Sequence, residues 1–255
     1  MICCGECLES NTIFCHPCDA DRVYIFDVDG TLCDSRQPMD TSFKAWFIDW
    51  ARRHSVYLVT GSDYAKTREQ LGDDTLRVMR RSYNCNGNDV WRNGSRIYTA
   101  PWMVPSSVIG WLTDQLTRSD FPLRTGQHIE YRPGMLNFSI VGRGATQHQR
   151  KLYSDWDLRR AERATIATAF NKTFPNLLAT VGGETGIDIA PCGQDKSQIV
   201  KDFVGKQIVF CGDMTQFGGN DYALASKIET ENLGIVYQTN SWSDTLCWLV
   251  KNWSV

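Results

Sequence analysis

Two aspartates, Asp27 and Asp29, close a short apolar run in the stretch RVYIFDVDGTLCD at residues 22–34. In extended backbone, side chains two apart share a face, so both carboxylates can approach one phosphate. One can attack phosphorus while the other handles a proton, and a Mg²⁺ between them would screen their repulsion and the phosphate charge. Acids ending a buried apolar strand are costly without a metal or a cationic partner, which favours chemistry over a chance pair in a surface turn. Further groups follow in chain order. Thr60 and Ser62 flank Gly61 at the end of the apolar run SVYLVT (55–60), where a hydroxyl can hydrogen-bond a phosphate oxygen or cap the next helix. Lys196 opens DKSQIVKDF, where an ammonium near the nucleophile would neutralise both phosphate and the Asp27 carboxylate. Asp213 follows the run QIVFC (207–211), with Asn220 and Asp221 shortly after, and a carboxylate there can complete a Mg²⁺ shell of oxygen ligands. The ordered set of DxDGT, strand-Thr, Lys and GD…ND is far more specific than any one of its parts.

These groups need strands to place them. Val23, Tyr24, Ile25, Phe26 and Val28 form a β-rich run that reads as a buried parallel strand, broken by Gly30 and Thr31 at its carboxyl end, where open α/β sheets bind ligands. Asp40 and Thr41 cap a helix whose Phe43, Trp46, Phe47 and Trp50 recur at helical spacing and belong to the core. A helix over 63–71 follows the second strand, and Leu246, Leu249, Val250 and Trp253 form the apolar side of a closing helix. The Asn- and Gly-rich segment 83–94 reads as turns leading out of the core. Beyond it, β-like runs at 96–98, 128–132 and 135–141 alternate with helical stretches at 107–116 and 155–170, the pattern of an α+β cap laid over the site. The cap carries Arg124, Arg132, Arg143 and Arg150, and guanidinium groups bind phosphate oxygens bidentately.

A chain of 255 residues with 42% hydrophobic content builds a substantial core. Its net charge of −2, from 27 basic and 29 acidic residues, supplies no field suited to nucleic acid or an anionic membrane, so a small molecule is the expected partner. No run approaches about eighteen apolar residues. The first twenty have cysteines and acids where a signal peptide has an apolar core, so a cytoplasmic protein is expected. Five of the ten cysteines crowd into positions 3–18. Cys4, Cys7, Cys15 and Cys18 form two CxxC pairs able to wrap one tetrahedral Zn²⁺, making residues 1–19 a small structural appendage.

DxDGT after an apolar strand resembles the first motif of the haloacid dehalogenase superfamily of phosphotransferases. That resemblance makes Asp27 the residue phosphorylated, Asp29 the general acid/base and a backbone-carbonyl ligand of the metal, and Thr60 the second-motif hydroxyl. It implies an α/β fold, with a Rossmann-like parallel-sheet core over 20–88 and 190–255 and the inserted cap over 89–189. Within the superfamily, SRQ after DGTLCD, YRPGMLNFSIVGRGATQHQR and GDMTQFGGND resemble the eukaryotic-type phosphomannomutases, so the likeness spans residues 22 to about 230. By it, Arg36, Arg132, Arg143 and Arg150 bind the distal phosphate of a hexose bisphosphate, Asp188 holds sugar hydroxyls, and Asp213 with Asp221 holds the metal. The family also implies a hexose bisphosphate activator and dimerisation through the cap. Departures are specific: Gly186 replaces a serine, Gln194 a tryptophan and Thr60 a glycine, while Cys33 and Asp34 replace small residues. A mutase interconverting mannose 6-phosphate and mannose 1-phosphate needs anion sites at both ends of its cleft. A sugar-phosphate phosphatase, the reading that Thr60 and Gly186 favour, needs only one. A third reading, a zinc-anchored interaction protein on a silent enzyme fold, is opposed by the intact acids and lysine.

Overall fold

In the computed structural model, which describes residues 21–253, the chain forms two sheets with helices between and around them. Cys4, Cys7, Cys15, Cys18 and the rest of the proposed leader lie outside the described residues. In chain order the first elements are β1 (Arg22–Phe26), α1 (Thr41–Ala51), β2 (Val56–Val59), α2 (Tyr64–Val78), β3 (Arg81–Asn84), β4 (Asp89–Arg92), β5 (Ser95–Thr99) and α3 (Ser106–Arg118). Then come β6 (Ile129–Arg132), β7 (Met135–Phe138), α4 (Gln147–Arg160), α5 (Glu162–Thr173), β8 (Leu177–Gly182) and β9 (Gly186–Pro191). A 3₁₀ segment (Lys196–Phe203) leads to β10 (Gln207–Gly212), α6 (Tyr222–Thr230), β11 (Gly234–Gln238) and α7 (Trp242–Trp253).

β1 is central. It pairs in parallel with β10 on one side and β2 on the other, within a sheet of order β11-β10-β1-β2-β3-β4-β5. Its alternation feeds two cores, as a strand covered on both faces requires. Tyr24 and Phe26 point into a cluster with Phe43, Phe47 and Trp50 of α1 and Leu249 of α7. Val23 and Ile25 point into a second cluster with Ile199, Phe203, Leu224 and Ile228. α1 starts where the sequence places it, because Asp40 Oδ1 accepts from the backbone N–H groups of Ser42 (2.9 Å) and Phe43 (3.0 Å).

The second sheet, ordered β6-β7-β9-β8, is antiparallel throughout. Leu136, Phe138, Ile187, Ile189 and Ala179 on its outer face bury against Val108 and Leu112 of α3, Tyr153 of α4 and Phe170 of α5. Its other face turns to the first sheet.

Three expectations change. Residues 83–94 are not a run of turns: a single 3₁₀ turn, Cys85–Gly87, reverses the chain between β3 and β4. Cys85 (φ 50°) and Asn86 (φ 59°) adopt left-handed conformations to do so. The first sheet therefore continues through the antiparallel strands β4 and β5 to Thr99, about ten residues past the expected boundary, and the second sheet ends at Pro191. Nor is 155–170 one helix. Ala161, at φ 52°, ends α4, and Asp157 Oδ1 accepts from the Arg163 N–H to start α5.

Trp50 joins α1 to β1 and α7: it is 1% exposed, stacks on His54 at 4.2 Å and donates from Nε1 to the Trp253 carbonyl at 3.2 Å. Trp50→Ala should destabilise the protein by about 3–5 kcal/mol, checked by urea unfolding followed by far-ultraviolet circular dichroism.

Candidate active site

The carboxyl ends of β1, β2 and β10 meet in one place. Parallel pairing aligns Phe26 with Cys211 and Leu58, so the next residues of each strand emerge side by side. Asp27 is 2% exposed and its N–H donates to the Cys211 carbonyl at 2.9 Å. Ligand oxygens of Asp27, Asp213 and Asp221 lie within 4.8 Å of one another. Lys196, wholly buried, donates from Nζ to Asp27 Oδ1 at 2.6 Å and Asp221 Oδ1 at 2.7 Å. Burial opposes its charge, but the carboxylates of Asp221 and Asp27 outweigh burial and hold the lysine above its ordinary range. One ammonium does not balance three carboxylates. Burial first, with the charges of Asp221 and Asp213 adding to it, pushes Asp27 well up despite Lys196. Burial, then Asp221, pushes Asp213 up to about 7.

This set suits a small divalent cation. All its donors are hard oxygens, and the buried Oδ1 of Asn220, which also lines the cleft, has no hydrogen-bond partner among the described residues. Gly30 lets the loops close up, since a Cβ there would strike the Asp213 carboxylate.

Asp29 points elsewhere. Its Oδ1 accepts from the Arg36 N–H (2.8 Å) and from Gln70 Nε2 (2.9 Å), so its side chain stands apart from the three-carboxylate cluster while still lining the cleft. Arg36 takes a left-handed backbone (φ 59°) to make that bond. Thr60 follows β2 directly, is 2% exposed, and its Oγ1 accepts from the Ser62 N–H at 3.1 Å, so it both lines the cleft and caps the turn.

The opposite wall comes from the second sheet and α4, and the cleft between them holds about 240 Å³. Arg36, Arg132, Arg143 and Arg150 all line it, as do Asp188 and the unforeseen Lys66 and Arg163. The cations crowd one another. Burial, then Arg143 and Arg150, lowers Arg36 to about 10. Burial, then Arg143, Arg36 and Arg132, lowers Lys66 to about 8. Two carboxylates that the sequence did not single out hold the guanidinium groups in place. Glu130 pairs with Arg132 and lies 3.0 Å from Arg143 Nε, and Glu184 lies 2.9 Å from Arg150 Nη2. Arg132 also spans the layers, donating to the Gly61 carbonyl at 2.7 Å. Arg124 is elsewhere; it donates to carbonyls at the end of α3, including Leu116 and Ser119. Gln70 and Glu184 carry no local signal, because each acts by pairing with a residue distant in sequence, and Glu130 draws Arg143, thirteen positions on, to the Arg132 it pairs with.

A sheet parallel from β11 to β3, bearing paired aspartates, a strand-end hydroxyl, a buried lysine and a third acidic loop, with a second sheet over its carboxyl edge, is the fold of the haloacid dehalogenase superfamily. A subclass IIB sugar phosphatase of that superfamily shares the fold with a TM-score of 0.55 at 14% identity, over 90% of this chain and 98% of its own. A family model described as eukaryotic phosphomannomutase matches residues 43–252. The phosphomannomutase of Saccharomyces cerevisiae is 32% identical over 221 residues, 80% of this chain and 85% of its own. That of Encephalitozoon cuniculi is 30% identical over 229 residues, 85% and 89%. The chain belongs to the eukaryotic phosphomannomutase family.

The raised Asp213 carboxyl sets a pH dependence for the free site. Below about 7 it is protonated and neutral, and a cation must displace that proton, so affinity is present above this value and lost as pH falls through it. Mg²⁺ should bind roughly tenfold more weakly at about pH 6 than at about pH 8 by titration calorimetry, and pH-independent binding would show that Asp213 is already ionised in the free site.

Proposed function

We propose that this protein is a Mg²⁺-dependent phosphohexomutase that interconverts mannose 6-phosphate and mannose 1-phosphate through an aspartyl phosphate on Asp27 and a hexose bisphosphate. The observation that carries this reading is a cluster of four arginines, Arg36, Arg132, Arg143 and Arg150, lining the same cleft as Asp27. The buried Nη2 of Arg36 has no acceptor among the described residues, and burial first, then the nearby Arg143 and Arg150, lowers its pKa. A guanidinium cluster short of acceptors is suited to a phosphate.

With Asp27 phosphorylated, a hexose phosphate held by Arg36, Arg132, Arg143 and Arg150 presents its free hydroxyl to phosphorus. Asp29 takes the hydroxyl proton as the new O–P bond forms, and the bond to Asp27 breaks, returning the electron pair to the Asp27 carboxylate. Lys196 stabilises that carboxylate as its charge reappears. The bisphosphate turns end for end, its other phosphoryl group passes to Asp27, and Asp29 gives the proton back to the departing oxygen. Mg²⁺, held by Asp27, Asp213, Asp221 and the Asp29 carbonyl, would supply positive charge against the phosphoryl oxygens. Thr60 would hydrogen-bond a phosphoryl oxygen, and Asp188 would hold sugar hydroxyls.

The same reading includes a hexose bisphosphate activator, a homodimer formed through the cap, a cytoplasmic location and a structural Zn²⁺ on Cys4, Cys7, Cys15 and Cys18. No helix among the described residues is long and apolar enough to cross a membrane. Net hydrolysis of a sugar phosphate is the second reading, favoured by the Thr60 hydroxyl at the end of β2, where the family has glycine.

Product analysis separates the two. Purified protein with Mg²⁺, a trace of hexose bisphosphate and mannose 1-phosphate should make mannose 6-phosphate by phosphorus NMR; release of inorganic phosphate alone would favour hydrolysis. Arg143→Ala should lower kcat/KM for the hexose phosphate by about tenfold to a hundredfold, and do less to hydrolysis of a small aryl phosphate. Equal losses on both substrates would argue against the distal anion site.

A further inference from the structure

The cleft-facing side of the second sheet carries a polar row formed by directly opposed residues: Glu130 on β6, Asn137 on β7, Asp188 on β9 and Thr180 on β8. Opposed residues of antiparallel strands share a face and lie within reach of one another. Asn137 Nδ2 donates to Asp188 Oδ1 at 2.7 Å. A carboxylate only accepts, so the nitrogen of the amide must face it and the amide oxygen must turn away. That oxygen is buried, and it meets no donor among the described residues. Buried carbonyl oxygens ordinarily have a partner, and Asn137, only 4% exposed, lines the cleft.

The backbone around the pair is cleared for it. A Cβ at Gly186 would stand 2.6 Å from Asn137 Nδ2, and a Cβ at Gly61 or Gly182 would stand 2.7 or 2.8 Å from Asp188 Oδ2. Three glycines on three separate segments thus bracket the amide and the carboxylate, and a side chain at any of them would push one or the other aside.

We infer that Asn137 is a specificity-determining residue, whose Oδ1 accepts a hydrogen bond from a ring hydroxyl of the substrate, while Gly186 keeps the amide in place. The inference rests on the reading of this cleft as a sugar-phosphate site. Two acceptors adjacent on one sheet face, Asn137 Oδ1 and the Asp188 carboxylate, match two O–H donors on neighbouring ring carbons, so the ligand class is a vicinal diol of a pyranose phosphate. An amide oxygen recognises a hydroxyl without adding charge, which suits a wall where Glu130 and Asp188 already oppose the guanidinium groups.

The test compares kcat/KM for a hexose phosphate with analogues each lacking one ring hydroxyl, as a ratio within each protein so that the folded fraction cancels. The wild type should lose about tenfold to a hundredfold on the analogue lacking the hydroxyl that Asn137 receives. In Asn137→Ala, deleting that hydroxyl should cost less than about threefold, while a neighbouring hydroxyl still discriminates through Asp188. If Asn137→Ala discriminates the series as the wild type does, or if discrimination at every hydroxyl collapses together, the inference fails. Should Asn137→Ala show no measurable turnover, Gly186→Ala decides. Weakened discrimination at the same hydroxyl supports the inference and unchanged discrimination overturns it. A wild type inactive on every hexose phosphate would remove the sugar-phosphate reading itself, and this inference with it.

Discussion

Bringing three carboxylates within 4.8 Å of one another in a buried site is possible here because one ammonium, also fully buried, stands against two of them. Lys196 reaches Asp27 and Asp221 from a 3₁₀ segment on the far side of β10 from α1, and everything chemical in the molecule is arranged around that contact. A buried ion pair is stable only while both signs are present; taking away the cation would leave unpaired charge costing about 3–5 kcal/mol. The balance is deliberately incomplete. Asp27 and Asp213 remain raised by burial and by the neighbouring acids, which is the condition expected of a site that completes its charge balance with a bound cation.

The rest of the cleft lining, drawn from both sheets' surroundings, has the opposite excess. Arg36, Arg132, Arg143, Arg150 and Lys66 crowd together, and Glu130 and Glu184 compensate only part of their charge. The two excesses line one small cavity. Arg132 has a second duty, since its bond to the Gly61 carbonyl ties the second sheet to the strand end carrying Thr60. Asp188 packs at the same junction against Gly61, where a Cβ would stand 2.7 Å from its Oδ2.

Gly186 and Thr60 also line this cleft. Gly186 leaves space that the Asn137 amide occupies, and Thr60 turns its hydroxyl to the Ser62 N–H while facing the cleft. Cys33 lies under the Asp29 loop, where burial and the neighbouring Asp29 and Asp27 push its thiol up, keeping it protonated and unreactive.

What the sequence determined by itself is local: the apolar run of β1 with its two following acids, the stripe of Phe43, Phe47 and Trp50 with its Asp40 cap, the glycine-broken strand ends, and the order of Thr60, Lys196 and Asp213 after them. Periodicity and turn chemistry act over a few residues, so these features were readable in one dimension. Tertiary structure decided the rest. β4 and β5 join the first sheet because the positive φ angles at Cys85 and Asn86 fold the chain back onto β3. Ala161 breaks a helix that propensity would continue, because the Asp157 carboxylate is at hand to start another. Gln70, Asn137 and Glu184 line or support the cleft only through partners up to 51 positions away in sequence. Burial, charge compensation and a missing hydrogen-bond partner are properties of a place rather than of a residue, and the place exists only once the two sheets face each other.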